Sequence, residues 1–312
     1  VKANEPEMVC IAPNQSSLLV GYAMGDKIDK IDMLGDGIGV LIGNDNYNVV
    51  DLYETEEYKD IVCTMRDWYQ KGYILKDAAT TTENGSVMYN QGKVFSYLYV
   101  DILDDLDHAY HHPGVSQQGQ PTMVKALNKP IITSAVGFYS CGISSQSKHP
   151  EAAMKWLNLM YKDEEAVNTL YWGIEGKHYV KNEDGTISFT PEEAADRGYD
   201  LPFNWMFGNT ALQYAFKDSG YSADYMAQRV KQNEGAEISN AFGFTFDITP
   251  VQSQYTAVSN VKSQYQRALE CGSVDPEVEL PNFIKKLKEA GIDDVIAEKQ
   301  RQLNEWVEAN KK

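Results

Sequence analysis

The apolar residues of this chain recur with two different periods, and the change from one to the other marks out its elements. From Gly35 to Val50 apolar and polar residues alternate, and Gly43 to Asn46 interrupts them, which predicts a hairpin-like pair of strands. A helix is expected next, from about Glu54 to Lys71. Thr55 stands where an N-cap belongs, Tyr58, Ile61, Val62, Met65, Trp68 and Tyr69 form one apolar stripe, and Gly72 is the stop. A short helix from Asn84 to Gln91 then ends at Gly92 and leads into a strand from Lys93 to Val100. Asp101 to Gln120 is rich in Asp, His, Gly and Gln and reads as a loop, whereas Ile131 to Ser144 is apolar enough for one or two buried strands.

Pro150 suits the first position of a helix running through Tyr161, with Ala153, Met154, Trp156, Leu157 and Met160 turned inward. A second helix follows from about Asp163 to Tyr171. His178 to Thr190 reads as a β-hairpin around Glu183-Asp184-Gly185, because an Asp-Gly pair favours positive φ. Beyond it the character changes: Ser253 to Leu269, Leu280 to Ala290 and Asp293 to Ala309 all read as helices, punctuated by Gly272, Pro276, Pro281 and Gly291. Alternating strands and helices indicate an α/β lobe, followed by a mostly helical last third. The opening Val1-Lys2-Ala3-Asn4-Glu5-Pro6 reads as the tail of a helix whose beginning is absent, so a truncated chain is expected.

Length and charge narrow the partners. A chain of 312 residues is long enough for two domains or lobes. With 45 acidic against 28 basic residues its formal net charge is −17, which argues against nucleic acid and against an anionic membrane surface, and fits a neutral or cationic small ligand. Its 20 Tyr and 5 Trp supply many amphipathic rings, suited to stacking on carbohydrate as well as to core packing. No apolar run approaches the ~18–20 residues that span a bilayer. Cys10, Cys63, Cys141 and Cys271 are scattered, with no C-x-x-C pair; Cys63 falls on the buried side of its helix and Cys141 in an apolar strand pattern, so inert, free thiols are expected.

The chemical motifs are mostly negative. Asp26, Asp29, Asp32 and Asp36 lack the alternating oxygens, glycine and terminal glutamate of a calcium loop and read as a solvated loop. Gly35-Asp36-Gly37-Ile38-Gly39 has neither the Lys-Ser/Thr of a P-loop nor a full dinucleotide pattern. His108, His111 and His112 lie near Asp101, Asp104, Asp105 and Asp107, but without metal-ligand spacing, so no metal and no cofactor is expected. No G-x-S-x-G elbow occurs, and catalysis is not indicated. The positive signal is Trp172-Gly173-Ile174-Glu175-Gly176-Lys177-His178-Tyr179, which combines aromatic rings, two glycines, an acid, a base and a hydroxyl in one turn. Such a set can clamp a polyol, with rings on its apolar faces and short polar groups on its hydroxyls. The competing reading makes Trp172 and Tyr179 core aromatics flanking a turn.

Several of these segments together carry a resemblance. Glu54-Thr55-Glu56-Glu57-Tyr58 leading to Trp68-Tyr69-Gln70-Lys71-Gly72-Tyr73-Ile74 resembles the bacterial ABC-transporter extracellular solute-binding proteins of the carbohydrate type, as does Asn90-Gln91-Gly92-Lys93 running into an apolar strand. Ser144-Ser145-Gln146-Ser147-Lys148-His149-Pro150-Glu151-Ala152-Ala153-Met154-Lys155-Trp156-Leu157-Asn158 looks like their S-K-x-P-E-x-A-x-x-F-L-N segment, and Tyr171 to Tyr179 like their Y-G-I-E-G-K-x-Y signature. Phe242 to Trp306 resembles the C-terminal module, of uncharacterised function, found on many such Gram-positive lipoproteins.

The resemblance implies an α/β, type II periplasmic-binding-protein-like lobe over residues 1–175, truncated at its start, and a β-hairpin plus mostly helical C-terminal module over 176–312. It implies an importer component without catalysis, whose lobes close on a sugar by a hinge and then dock on the membrane permease. The full-length protein would be an extracellular, cell-surface lipoprotein and a monomer. Ligand contacts are expected from Tyr99 and Asp101 at the end of a strand, then Trp172 and Glu175, then Asn204 and Trp205 in the loop from Phe203 to Asn209, with Tyr22 and Tyr139 weaker candidates. For each, core packing is the competing role. A sugar-active hydrolase and a surface interaction module are the alternative functions.

Overall fold

A computed structural model describes residues 1–12, 31–32, 34, 36–41, 47–97, 141–196, 198–199, 208–217, 222–234 and 238–310. Strands β1 (Val9–Ala12), β2 (Ile31–Asp32), β3 (Ile38–Leu41) and β4 (Val49–Asp51) precede helix α1 (Glu56–Gln70), short helix α2 (Gly85–Asn90) and strand β5 (Val94–Tyr97). Helices α3 (Pro150–Lys162) and α4 (Glu164–Trp172) lead to strands β6 (Tyr179–Lys181) and β7 (Ile187–Phe189), a one-turn helix α5 (Pro191–Ala195) and helix α6 (Tyr225–Glu234). Three helices close the chain: α7 (Gln252–Glu270), α8 (Pro276–Glu289) and α9 (Ile292–Asn310).

Contacts divide the described residues into two compact units, one holding residues 1–97 and 238–310, the other 141–234. The division anticipated at residue 175 does not coincide with either boundary. In the first unit β1 pairs in parallel with β5, Val9 opposite Val94, and β2, β3 and β4 form an antiparallel sheet in which Ile38 faces Asp51 and Val40 faces Val49. The strand pair foreseen between residues 35 and 50 is therefore present; its turn at 42–46 lies outside the described residues. Residues 1–6 form a turn in which Asn4 and Glu5 donate to the Val1 carbonyl, rather than an assigned helix.

Helix α1 begins where the sequence places it, because the Thr55 hydroxyl accepts from the Tyr58 amide at 3.2 Å and satisfies a donor the helix leaves open. Tyr58, Ile61, Val62 and Met65 are fully buried. What covers them is the C-terminal module: Leu269, Phe283, Leu287, Ile292, Val295 and Leu303 belong to the same core cluster. Tyr53 meets Tyr58 and Phe283 edge-on, at 5.1 and 4.9 Å between ring centroids. Helix α8 starts four residues before the anticipated Leu280, since Asp275 caps it at the Glu277 amide and Pro276 fits its first turn. Pro281 then falls inside the helix.

A polar seam runs through this core. Lys299, fully buried on α9, donates to both oxygens of Asp36 at 2.7 and 2.8 Å and to the Ile38 carbonyl at 2.9 Å. Lys262 on α7 donates to the Asp36 carbonyl. Gln300 brackets the start of β4, accepting from the Val49 amide at 2.7 Å and donating to the Tyr47 carbonyl at 2.9 Å. Asp36 and the buried Asp32 thus correct the expectation of a solvated acidic loop at these positions: the lysines that bury Asp36 come from the far end of the chain. Burial pushes Lys299 and Lys262 below the ordinary lysine range, with Asp36 pulling both back.

The second unit contains α3 to α6 and the β6–β7 hairpin, whose Gly185 takes φ +80° at the foreseen turn. On α3 the inward face is narrower than expected. Met160 is buried and Ala153 and Leu157 are half-buried, but Met154 and Trp156 are 57% and 45% exposed. Residues 153, 157 and 160 form a stripe at helical spacing, and 154 and 156 fall to either side of it. All four cysteines are free. Cys63 is half-buried, whereas Cys141 is exposed in a stretch without strand structure, correcting the apolar-strand expectation there; Cys271 is buried, its thiol pushed up to about 11 by burial.

Candidate functional site

The turn after α4 is built around a crowded glycine. Asp163 caps α4 by accepting from the Ala166 amide at 2.8 Å, and the helix ends at Trp172. Gly173 follows with φ +83°, and a Cβ there would lie 2.2 Å from His178 Nδ1. His178 Nδ1 accepts from the Ile174 amide at 2.8 Å, so the ring of one end of the turn fastens the backbone of the other. The His178 ring stacks on Tyr199 at 5.2 Å, and the Tyr199 hydroxyl donates to the Leu170 carbonyl at 2.6 Å.

Trp172 is half-buried in an aromatic cluster. It stacks on Phe216 at 5.7 Å with 14° between planes, and Phe189 meets it edge-on at 6.5 Å. Phe189 and Phe216 lie 4.5 Å apart. The Trp172 indole N–H is buried and bonded to no acceptor, an uncompensated donor. Glu175 is exposed and pairs with Lys181 at 3.3 Å; the Lys181 ammonium also sits 4.7 Å from the centre of the Tyr214 ring. Hydrogen bonds from Lys181 to Tyr214 and Glu175 raise the lysine above its ordinary range, so it stays cationic. Burial likewise raises Tyr179, whose hydroxyl remains protonated.

Asn168 brings these groups together. Fully buried on α4, it donates to the Leu212 carbonyl and accepts from the Tyr214 amide, both at 2.8 Å. This fixes the segment carrying Tyr214 and Phe216 against the helix that ends in Trp172. The result is a ring cluster with an ammonium, a carboxylate and a tyrosine close by, a set able to stack on a sugar face and exchange hydrogen bonds with hydroxyls.

Of the six anticipated contacts, Trp172 and Glu175 occupy this region, while Tyr99, Asp101, Asn204 and Trp205 lie outside the described residues, as do Tyr22, Tyr139 and the histidines at 108, 111 and 112. Lys181, Phe189, Tyr214 and Phe216 were missed. The alternation Tyr214-Ala215-Phe216 was their one local signal, and the segment does bridge β7, Phe216 opposite Ile187. Among the described residues no group of three or more His, Cys, Asp or Glu is placed to hold a metal ion, and no helix is long and apolar enough to cross a membrane.

The fold is that of type II periplasmic-binding-protein-like solute-binding proteins. It is similar to an N-glycan transport solute-binding protein, NgtS, from Streptococcus pneumoniae, crystallised with Man5GlcNAc: TM-score 0.75 and 24% identity, over 100% of this chain and 66% of that one. It is also similar to the S. pneumoniae ABC-transporter substrate-binding protein FusA, an EF-hand mutant in complex with fructo-nystose, with TM-score 0.53 and 18% identity, over 99% of this chain and 65% of that one.

In sequence, the chain is 28% identical over 283 residues to a carbohydrate ABC transporter substrate-binding protein of S. pneumoniae serotype 4, covering 86% of this chain and 53% of the relative. The chain thus spans about half the length of that curated relative. Residues 240–308 match a family described as a domain of unknown function, DUF3502. These relatives are solute-binding proteins of sugar transporters, and such proteins are not enzymes.

Proposed function

We propose that this chain is part of the extracellular substrate-binding component of an ABC importer, which holds an oligosaccharide on aromatic side chains and delivers it to the permease without altering it. The observation that carries this reading is the relationship to a carbohydrate ABC transporter substrate-binding protein along 86% of the chain. The turn at Trp172 adds chemical support, since a half-buried ring beside an exposed Glu175–Lys181 pair offers both a stacking surface and hydroxyl partners. Trp172 and Glu175 are the proposed contacts here, joined by Tyr99, Asp101, Asn204 and Trp205. The resemblance further implies a monomer held at the cell surface by a lipid anchor on the full-length protein.

Calorimetric titration of this chain with Man5GlcNAc, kestose and maltotetraose is the test. At least one is expected to bind, and Trp172→Ala is expected to weaken that binding at least ~10-fold, the equivalent of about 1.4 kcal/mol. No heat with any of them, or an unchanged affinity in Trp172→Ala, would count against the reading.

A further inference from the structure

The C-terminal module carries a groove that the Trp172 region does not account for. It has a volume of about 440 Å³ and lies between residues 244–250 and α9, lined by Phe244, Asp247 and Pro250 on one side and Arg301, Glu305 and Trp306 on the other. That volume is in the usual range for small-molecule sites. The two sides are fixed to one another: Gln302 accepts from the Asp247 amide at 2.9 Å and donates to the Asp247 carbonyl at 2.8 Å. Trp306 is half-buried and held edge-on against Phe244, with centroids 6.1 Å apart.

The polar groups of the groove retain unused capacity. Arg301 commits three N–H bonds, two to Glu298 and one to Glu305; a guanidinium has five, so two remain. Glu305 is exposed and accepts on one oxygen alone. The Trp306 indole N–H is bonded to no described residue and is not buried, and the exposed Thr245 hydroxyl is likewise uncommitted. The Asp247 carboxyl is held below the usual range by hydrogen bonds from Thr249, so it presents an ionised acceptor. The residues that carry this ring and these spare donors and acceptors all line one open cavity. Vicinal hydroxyls on a pyranose, which donate and accept at adjacent carbons while the ring's apolar face stacks, match this mix of groups.

We infer that this groove is a saccharide-binding site in its own right, with Trp306 as the stacking surface and Arg301 and Glu305 as the hydroxyl partners. A phosphorylated or acidic ligand fits poorly, because Asp247, Glu298 and Glu305 outnumber Arg301. The inference does not rest on the function proposed for the Trp172 region.

The test is proton–nitrogen correlation spectroscopy of the intact chain, which resolves one indole signal for each tryptophan. The Trp306 signal is assigned with Trp306→Phe and followed during titration with Man5GlcNAc, kestose and maltotetraose into the millimolar range. A saturable shift of the Trp306 signal with at least one sugar is expected. It should survive Trp172→Ala and be lost or weakened at least ~10-fold in Glu305→Gln and Arg301→Ala. Both are exposed positions, and an unchanged urea midpoint in these variants shows that the fold is intact.

Three outcomes would overturn the inference: a Trp306 signal that no sugar moves, a shift that Trp172→Ala abolishes, or a shift indifferent to both groove variants. A Trp306 response to a lysine pentapeptide but not to sugars would also overturn it, in favour of a basic peptide site. Failure of the Trp172 region alone, with Trp306 still responding, would refute the function proposed above and leave this site standing.

Discussion

Glu270 shows what a single buried side chain can impose. It is 2% exposed, with one oxygen accepting from Tyr58 at 3.1 Å and from Gln266 at 2.9 Å, and the other bonded to nothing. Burial raises its carboxyl from 4.5 to about 7, while the bonds from Gln266 and Tyr58 and the charge of Lys262 oppose the shift. Asp51 is raised in the same way, from 3.8 to about 6. A carboxyl whose pKa is higher in the folded than in the unfolded chain must take up a proton on folding over the interval between the two values. Stability from Glu270 is therefore greatest below about pH 4.5 and falls until about pH 7, with Asp51 adding a fall of the same sign at lower pH.

Glu270→Gln keeps an acceptor for Tyr58 and removes the charge. It is expected to raise stability by on the order of 1–3 kcal/mol at about pH 8, with little effect at about pH 4. Urea denaturation of both proteins at the two pH values measures it; a variant less stable than the parent at about pH 8 would refute this account. The sequence carried no hint of this group. Glu270 ends a helix read from its period, but its partner Tyr58 lies 212 positions earlier, and burial of a charge is a property of what folds over it.

At the scale of elements, local chemistry was legible and partnership was not. Thr55 was read as a cap and is one, because a short polar side chain before an apolar repeat satisfies an open amide wherever the helix ends up; Asp163 and Asp275 cap their helices in the same way but were not read as caps. The covered face of α3 was misread, since the width of an apolar stripe is decided by its neighbour. The ion pair of Lys299 with Asp36 joins positions 263 apart. Removing one member leaves the other buried without its counter-charge, so Lys299→Met is expected to cost about 3–5 kcal/mol, and adding Asp36→Asn should recover part of that loss. The urea midpoints of the two variants decide the matter.

Gly272 sets how closely α7 passes α1. Its φ is +71°, and a Cβ there would stand 2.2 Å from the Met65 carbonyl oxygen, a backbone atom that cannot swing aside. Arg66 seals the same junction by donating to the Gly272 and Ser273 carbonyls. Gly272→Ala combines a strained φ with a backbone clash, and a loss of at least ~2 kcal/mol is expected by thermal unfolding. An unchanged midpoint would mean that the helices separate freely.

For the whole molecule, the module from residue 240 onward is part of the first unit's core rather than an appendage. Leu269, Phe283, Leu287 and Leu303 share one cluster with Ile38, Tyr58, Ile61 and Met65. A chain ending at residue 238 is expected to lose protection of the α1 amides in hydrogen exchange, because that helix's apolar stripe would face water. Persistent protection would mean that the early elements hold a core of their own. The same distinction governs the candidate site: Trp172 was legible from its place between a helix and a glycine turn, but the rings around it arrive from a hairpin and a later segment.

Periods, turns and the Thr55 cap could be read from amino-acid order, since these depend on residues within one or two turns of each other. Composition also set the acidic balance, a formal net charge of −17. Which carboxylates are buried, which aromatic faces meet and which segments share a core emerged on folding alone. Those outcomes depend on desolvation and close packing between residues from tens to more than two hundred positions apart, and no local pattern encodes that distance.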